Sequence, residues 1–136
     1  MNNKLTLIIG LILTFIILSA ARKIIFNIMS RGKFKNINVN DAVSIYKNSK
    51  NIGLIDVRSY MEVQQSGYIK DSINIPLDDS KFNEKMSELD KNKEYIVYCA
   101  SGNRSSTACM RMYKLGFTNI NNLTHAGYFQ LSSYLK

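Results

Sequence analysis

One cysteine of this chain has the surroundings of a nucleophile. Cys99 follows the apolar run Tyr95–Tyr98 and precedes a short loop that contains a glycine and an arginine. The loop residues are Ala100, Ser101, Gly102, Asn103, Arg104 and Ser105. If the loop curls around the sulfur, its backbone N–H groups and the N-terminus of the following helix point at the thiol and favour a thiolate. Cys99 is therefore a candidate nucleophile for covalent catalysis, with Gly102 supplying backbone freedom and Arg104 positive charge.

The other cysteine and the histidine are not predicted to take part in catalysis or metal binding. A lone cysteine after a strand is more often a small buried apolar residue, and only the loop composition favours the catalytic interpretation of Cys99. Cys109 is expected to pack in the next helix, because its spacing from Cys99 is not that of a vicinal redox pair. His125 is the only histidine, so a cysteine and histidine metal cluster cannot be assembled. No metal site and no cofactor is predicted, since phosphate-binding and dinucleotide motifs are absent from the sequence.

Strand and helix patterns alternate around Cys99. Short apolar runs predict strands at Ile52–Val57, Ile73–Ile75 and Tyr95–Tyr98, and Ile120–Leu123 is interpreted as a last strand. Helical spacing predicts helices from a cap at Asn40 to Asn48, from Ser80 to Leu89, from Arg104 to Leu115 and near Tyr134. This alternation is typical of an α/β domain whose parallel sheet is covered by helices on both faces. Ligands bind such sheets at the carboxyl ends of the strands, where Cys99 is placed.

A membrane-spanning helix is predicted before this domain. The 17 residues from Leu5 to Ala21 carry no charge. At about 1.5 Å per residue they cover roughly 26 Å of a hydrocarbon core about 30 Å thick. Lys4, Arg22 and Lys23 can reach the headgroups on either side, so residues 5–21 are expected to contact the lipid bilayer. The alternative is a secretory signal peptide cleaved near Ala21, which would export the rest of the chain.

Most of the net charge of +8 belongs to the N-terminal segment. Residues 1–40 of the 136 carry +6 and no acidic side chain, which leaves +2 for residues 41–136. The basic excess therefore does not indicate a nucleic-acid-binding domain. More basic side chains follow the apolar run than precede it, so the domain is predicted to be cytoplasmic. We predict an anchor and basic flank at 1–29, a linker at 30–36 and a soluble domain at 37–136.

Four segments of the soluble domain, in the right order, resemble the rhodanese family of sulfurtransferases. CASGNRS (99–105) is similar to the family's C-x-x-G-x-R/S loop, and LIDVRSYMEV (54–63) to its D-V-R-x-x-x-E stretch. SGYIKDSINIP (66–76) is similar to G-H-I-x-G-A-x-N-I-P, and HAGYFQL (125–131) to the closing G-G-x-x-x-W. The departures from these motifs are Tyr68 for His, Asp71 and Ser72 for Gly-Ala, Ala126 for Gly, and Leu131 for Trp.

The resemblance implies a rhodanese-like fold and a membrane-anchored sulfurtransferase. Cys99 would accept sulfane sulfur from a small-molecule donor as a persulfide and pass it to a thiol or a protein acceptor. The backbone amides from Ala100 to Arg104 would surround the transferred sulfur, and Arg104 would attract an anionic donor such as thiosulfate. Asp56 would support the loop or a neighbouring helix, while Arg58 is expected to form a structural ion pair with Glu62, four residues on.

Two other functions remain as alternatives. A non-catalytic rhodanese-like module could bind or regulate a partner at the membrane. A cysteine-dependent phosphatase or arsenate reductase is a minor alternative, because Arg104 could bind an oxyanion. Cysteine phosphatases place five residues between the cysteine and the arginine, whereas four lie between Cys99 and Arg104. The loop is therefore expected to suit sulfur better than phosphate.

Overall fold

The computed structural model describes residues 3–135, which divide into two units between Arg31 and Gly32. The first unit is a single helix, α1 (Asn3–Ser30), of 28 residues. Its length and apolar composition suit a membrane crossing, and a signal sequence meets the same criteria. At about 1.5 Å per residue it is roughly 42 Å long, so it exceeds the thickness of a hydrocarbon core. It continues beyond Arg22 and Lys23 because Ile24 and its neighbours contain no glycine or proline to end it.

The second unit is built on a five-stranded parallel sheet in the order β1-β5-β4-β2-β3. The strands are β1 (Lys35–Ile37), β2 (Ile52–Asp56), β3 (Ser72–Asn74), β4 (Glu94–Tyr98) and β5 (Ile120–Leu123). The helices are α2 (Val39–Asn48), α3 (Tyr60–Ser66), α4 (Phe82–Ser87), α5 (Asn103–Lys114) and α6 (Tyr128–Tyr134). The predicted α/β class with a parallel sheet is confirmed.

Neighbouring residues of the central strands face opposite sides of the sheet, as strand geometry requires. Ile55 and Val97 belong to one core cluster with Met86 of α4 and Met112 of α5. Leu54 and Ile96 belong to the other cluster, together with Ala42 of α2 and Leu131 of α6. Because both faces are covered by helices, the middle residues of β2 and β4 are apolar on both faces of the sheet rather than alternating with polar residues.

The pairing of β2 with β4 determines where the site lies. The register runs from Ile52 beside Glu94 to Asp56 beside Tyr98. The Val57 N–H then donates to the Tyr98 carbonyl at 2.9 Å. The two strands therefore end together, and the residues that follow each strand meet at the same edge of the sheet.

The start of this unit differs from the sequence pattern. Strand β1 pairs with β5 although only Ile37 of its three side chains is buried, so no apolar run indicates it. The cap of α2 is Asn38, whose side chain accepts from the Asp41 N–H at 2.9 Å. The prediction of a cap at Asn40 is wrong, because either asparagine suits a cap and only the fold decides between them.

Candidate active site

The loop after β4 curls around the Cys99 sulfur. Cys99 is completely buried at the carboxyl end of the strand. The Gly102 N–H donates to Sγ at 3.1 Å, and Ser105 Oγ lies 3.7 Å from Sγ. The backbone N–H groups of Ser101 and Ser105 also interact with the sulfur. These contacts form an N–H-lined cradle around one sulfur atom, with α5 beginning directly behind it.

These contacts change the acidity of the thiol. Burial alone would raise the pKa of Cys99, but the N–H groups of Ser101, Ser105 and Gly102 and the Ser105 hydroxyl outweigh it and hold the pKa below its ordinary value. Hydrogen bonds that stabilise an anion lower the pKa of its acid in this way. The N-terminus of the 12-residue helix α5 adds its positive end. The sulfur is therefore prepared to act as a thiolate.

Two glycines allow this loop to pack. Gly102 has a φ of +95°, and a Cβ there would lie 3.1 Å from the Leu123 carbonyl oxygen. A Cβ on Gly127 would lie 2.0 Å from the Ala100 carbonyl oxygen, closer than any real contact. The next residue, Tyr128, donates its N–H to the Cys99 carbonyl at 2.8 Å. The segment that begins α6 thus supports the loop from behind, and the closing glycine motif is the sequence signal for it.

Asp56 and Arg58 form a buried pair beside the loop. Arg58 Nη2 lies 2.7 Å from Asp56 Oδ2, and the two side chains are 2% and 0% exposed. The Arg58 guanidinium also donates to Ser66 Oγ and to the Gly67 carbonyl, and it stacks on the Tyr128 ring at 3.7 Å. Arg58 therefore joins the end of β2 to α3 and α6 without touching the sulfur.

Glu62 pairs with Arg104 and not with Arg58, so the expected pair of Arg58 with Glu62 is wrong. Arg104 Nη1 and Nη2 donate to the two Glu62 carboxylate oxygens at 2.6 and 2.7 Å. Glu62 also accepts from the Ser59 N–H and hydroxyl at 2.9 Å each, which caps α3. The Arg104 hydrogen bonds are the main reason that the pKa of Glu62 falls to about 2. The loop arginine is thus already bound to a carboxylate.

A pocket of about 190 Å³ opens beside the loop at Ala100. Its lining residues are Arg58, Glu62, Gln65, Ser66, Ala100, Tyr128 and Phe129. Phe129 is 67% exposed and gives the pocket an apolar rim. A small donor or acceptor molecule can therefore lie beside the loop. Among residues 3–135, no cluster of three or more histidine, cysteine or carboxylate side chains is placed to hold a metal ion.

The other candidate residues lie apart from this chemistry. Cys109 is a free and completely buried thiol on α5, and burial raises its pKa well above the ordinary value. It therefore stays protonated and packs in the core. His125 is exposed, with a φ of +56°, in the connection between β5 and α6.

Comparison with known proteins finds sulfurtransferases and a family of domains that contain this loop. The rhodanese-like domain family matches residues 39–130. A sulfurtransferase of Allochromatium vinosum is 32% identical over 75 residues, which cover 55% of this chain and 67% of that protein. The thiosulfate sulfurtransferase PspE of Escherichia coli is 35% identical over 68 residues, which cover 50% of this chain and 64% of that protein. The chain thus spans about two thirds of the length of each relative.

A solved structure agrees in fold. The rhodanese-related protein of Thermoplasma volcanium is 34% identical and superposes with a TM-score of 0.57, covering 74% of this chain and 91% of that one. The family match extends from α2 to α6 and includes the Cys99 loop, the Asp56 and Arg58 pair and the closing glycine. With more than half of its residues matched, the chain belongs to the rhodanese-like domain family.

Proposed function

We propose that this chain is a sulfurtransferase that carries sulfane sulfur as a persulfide on Cys99. The observation that supports the proposal most strongly is the Cys99 sulfur itself, which is held by backbone N–H groups and has a lowered pKa. Relatives named as sulfurtransferases support the same class of reaction.

The geometry suits a two-step transfer. The Cys99 thiolate attacks the outer sulfur of a donor such as thiosulfate, and a new S–S bond forms. The S–S bond of thiosulfate breaks, and sulfite leaves with the bonding electron pair. An acceptor thiolate then attacks the terminal sulfur of the persulfide and takes it away, which regenerates the Cys99 thiolate. The N–H groups around Sγ stabilise the negative charge in both steps.

The contacts of Arg104 favour sulfur transfer over phosphate chemistry. A phosphatase needs a free guanidinium to bind the equatorial oxygens of the phosphoryl group. Both terminal nitrogens of Arg104 are instead bound to Glu62. The four-residue spacing between Cys99 and Arg104 also leaves a cradle of the size of one sulfur atom.

Attachment to a membrane is a second part of the proposal. Helix α1 supplies the length and the apolar surface for an anchor, and residues 5–21 would lie in the bilayer. The basic residues after this segment favour a cytoplasmic domain. The expected division is an anchor at residues 1–29, a linker at 30–36 and the sulfurtransferase domain at 37–136, although Ser30 still belongs to α1 and β1 already begins at Lys35. Determining the N-terminus of the mature protein tests this, because cleavage near Ala21 would remove the anchor.

The function is tested with the full chain purified in a nonionic detergent. We expect thiocyanate formation from thiosulfate and cyanide, and we expect Cys99→Ser to abolish it. Treatment with thiosulfate alone should add about 32 Da, the mass of one sulfur atom, to the peptide that contains Cys99. Cys109→Ala is the matched control and should keep both the thiocyanate formation and the added sulfur on Cys99. Equal turnover by wild type and Cys99→Ser, or an adduct on Cys109 alone, would contradict the proposal.

A further inference from the structure

The arginines beside the candidate site are already matched by carboxylates. Arg58 is buried against Asp56, at 2.7 Å. Arg104, the arginine of the Cys99 loop, makes two short hydrogen bonds to Glu62. A guanidinium that is paired with a carboxylate binds an incoming anion more weakly than a free one does, because its charge and its parallel N–H donors are already in use.

Other negative charges near Arg104 further compensate its positive charge. Besides Glu62, the Asp78 carboxylate and the Cys99 sulfur lie near enough to Arg104 to interact with its charge. Arg111, seven residues further along α5, donates to the carbonyl of Leu77, the residue before Asp78, at 3.2 Å. The positive charge of Arg104 therefore interacts with two carboxylates, those of Glu62 and Asp78, before the thiolate itself is counted.

Glu62 is not free to move aside. Its Oε2 accepts from both the N–H and the hydroxyl of Ser59, and the Ser59 hydroxyl in turn accepts from the Glu62 N–H. This reciprocal arrangement is a capping box that closes the first turn of α3. A sulfur donor that displaced Glu62 from Arg104 would disturb the cap of a helix that lines the pocket.

We propose that Glu62 determines which sulfur donors the Cys99 loop accepts, favouring donors of low negative charge over dianions such as thiosulfate. This proposal rests on the sulfurtransferase function and names its donor class. The preferred donors are uncharged or monoanionic compounds with a sulfane sulfur, such as organic persulfides and thiosulfonates. Because both terminal nitrogens of Arg104 are bound to Glu62, the loop arginine offers no unpaired charge to the donor, and each added negative charge on the donor is less favoured.

Two donors of nearly equal shape allow the effect of donor charge to be measured separately from the effect of donor size. Methanethiosulfonate carries a methyl group where thiosulfate carries an oxyanion, and it therefore has one negative charge fewer. Both give their outer sulfur to the Cys99 thiolate by breaking one S–S bond. Methanesulfinate leaves with the electron pair in one case, and sulfite in the other. Cyanide then removes the sulfur from the persulfide as thiocyanate, so a single assay reports both donors.

The experiment compares the full-length wild type, Glu62→Gln and Glu84→Gln in detergent at low ionic strength. Glutamine at this position still accepts the Ser59 hydrogen bonds of a capping box, so the cap is kept while the charge is lost. Glu84 is exposed on α4 and gives the same change in net charge. We expect Glu62→Gln to raise kcat/KM for thiosulfate on the order of tenfold, mainly through KM, and to raise that for methanethiosulfonate less than about threefold. Glu84→Gln should leave both values unchanged.

A second readout does not depend on sulfur transfer. Iodoacetate and iodoacetamide alkylate the same thiolate, but only iodoacetate is an anion. In the Cys109→Ala background, Glu62→Gln should raise the ratio of the iodoacetate rate to the iodoacetamide rate at Cys99 about threefold or more. Because Glu62 and Arg104 are each more than a third exposed, added salt should shrink this difference.

The outcomes separate this proposal from the proposed function. A wild type that transfers sulfur from neither donor contradicts the sulfurtransferase function and the donor preference with it. A protein that uses both donors, but whose donor ratio and alkylation ratio are unchanged by Glu62→Gln, refutes the role of Glu62 alone. A fall in thiosulfate turnover in Glu62→Gln, with the melting temperature maintained, would also refute it, because Glu62 would then assist the dianion.

Discussion

Backbone N–H groups and one hydroxyl, all from residues 101–105, surround the Cys99 sulfur. The acidity of the thiol therefore depends on the shape of the loop and not on a neighbouring base. A lowered pKa means that the thiolate is already present at a pH where an ordinary cysteine is still protonated. Alkylation of Cys99 by iodoacetamide should accordingly rise with pH and reach its plateau at a lower pH than for free cysteine.

The contribution of the Ser105 hydroxyl to the pKa of Cys99 can be tested by mutation. Ser105→Ala removes the Oγ that lies 3.7 Å from Sγ, and with it one of the contacts that lower the pKa of Cys99. We expect the midpoint of the alkylation profile to move to higher pH, while the plateau rate changes little. Ser106→Ala is the control, measured like Ser105→Ala in a Cys109→Ala background. An unchanged midpoint would show that the backbone N–H groups alone set the pKa.

The close approach of Gly127 to the Cys99 loop gives a steric test. Gly127→Ala places a methyl group 2.0 Å from the Ala100 carbonyl oxygen, so the loop or α6 must shift. We expect a loss of about 1–3 kcal/mol in the free energy of unfolding, as for overpacked sites. Sulfur transfer should fall on the order of a hundredfold, because the cradle moves away from the sulfur. Denaturant unfolding and the thiocyanate assay measure the two effects.

The neighbouring position gives the control for this change. Ala126→Gly alters the same connection without adding an atom, and it restores the glycine pair of the rhodanese motif. It should cost no more than about 1 kcal/mol and leave turnover within about threefold. Equal losses in Ala126→Gly and Gly127→Ala would mean that flexibility of the connection matters, and not the contact with Ala100.

The junction of β2, α3 and α6 depends on one buried ion pair. Arg58→Met leaves the Asp56 carboxylate buried without its partner, which should cost about 3–5 kcal/mol of the free energy of unfolding. Adding Asp56→Asn removes the unpaired charge, so the double variant should be more stable than Arg58→Met. Urea unfolding of the three proteins measures this. A double variant no more stable than the single one would show that the arginine contacts to Ser66, Gly67 and Tyr128 carry the effect.

Some elements can be predicted from sequence because their own residues determine them. Strands β2 and β4 contain apolar runs buried by helices on both faces, and α5 ends before Gly116, which has a φ of +96°. Strand β1 has only Ile37 buried, so it forms through its pairing with β5 and leaves no local pattern. Tertiary pairing of this kind overrides local preference.

The site was harder to predict because its contacts join distant segments. The spacing of Arg58 and Glu62 suggests a helical pair, but α3 begins at Tyr60 after its cap Ser59, so Arg58 lies outside the helix and the i, i+4 rule does not apply. Glu62 instead meets Arg104, which is 42 residues away in sequence. The Cys99 loop could be identified because a nucleophile, a glycine and a helix start are adjacent in the chain.

At the scale of the whole molecule, both core clusters are built without α1. Every residue of the two clusters lies at Phe34 or later, and so do the five strands. A unit with its own core and sheet contains what it needs to fold alone. The described helix α1 is long and apolar enough to cross a membrane, and a signal sequence meets the same criteria.

We therefore expect residues 32–136 to fold and to dissolve without detergent, whereas the full chain should sediment with membranes. The melting temperature of the shortened protein should lie within a few degrees of that of the full chain in detergent, because about 1 kcal/mol shifts a domain of this size by roughly 4–8 °C. Thermal unfolding and fractionation of cell extracts measure the two properties. A shortened protein that aggregates, or that melts without a cooperative transition, would show that α1 contributes to the stability of the domain.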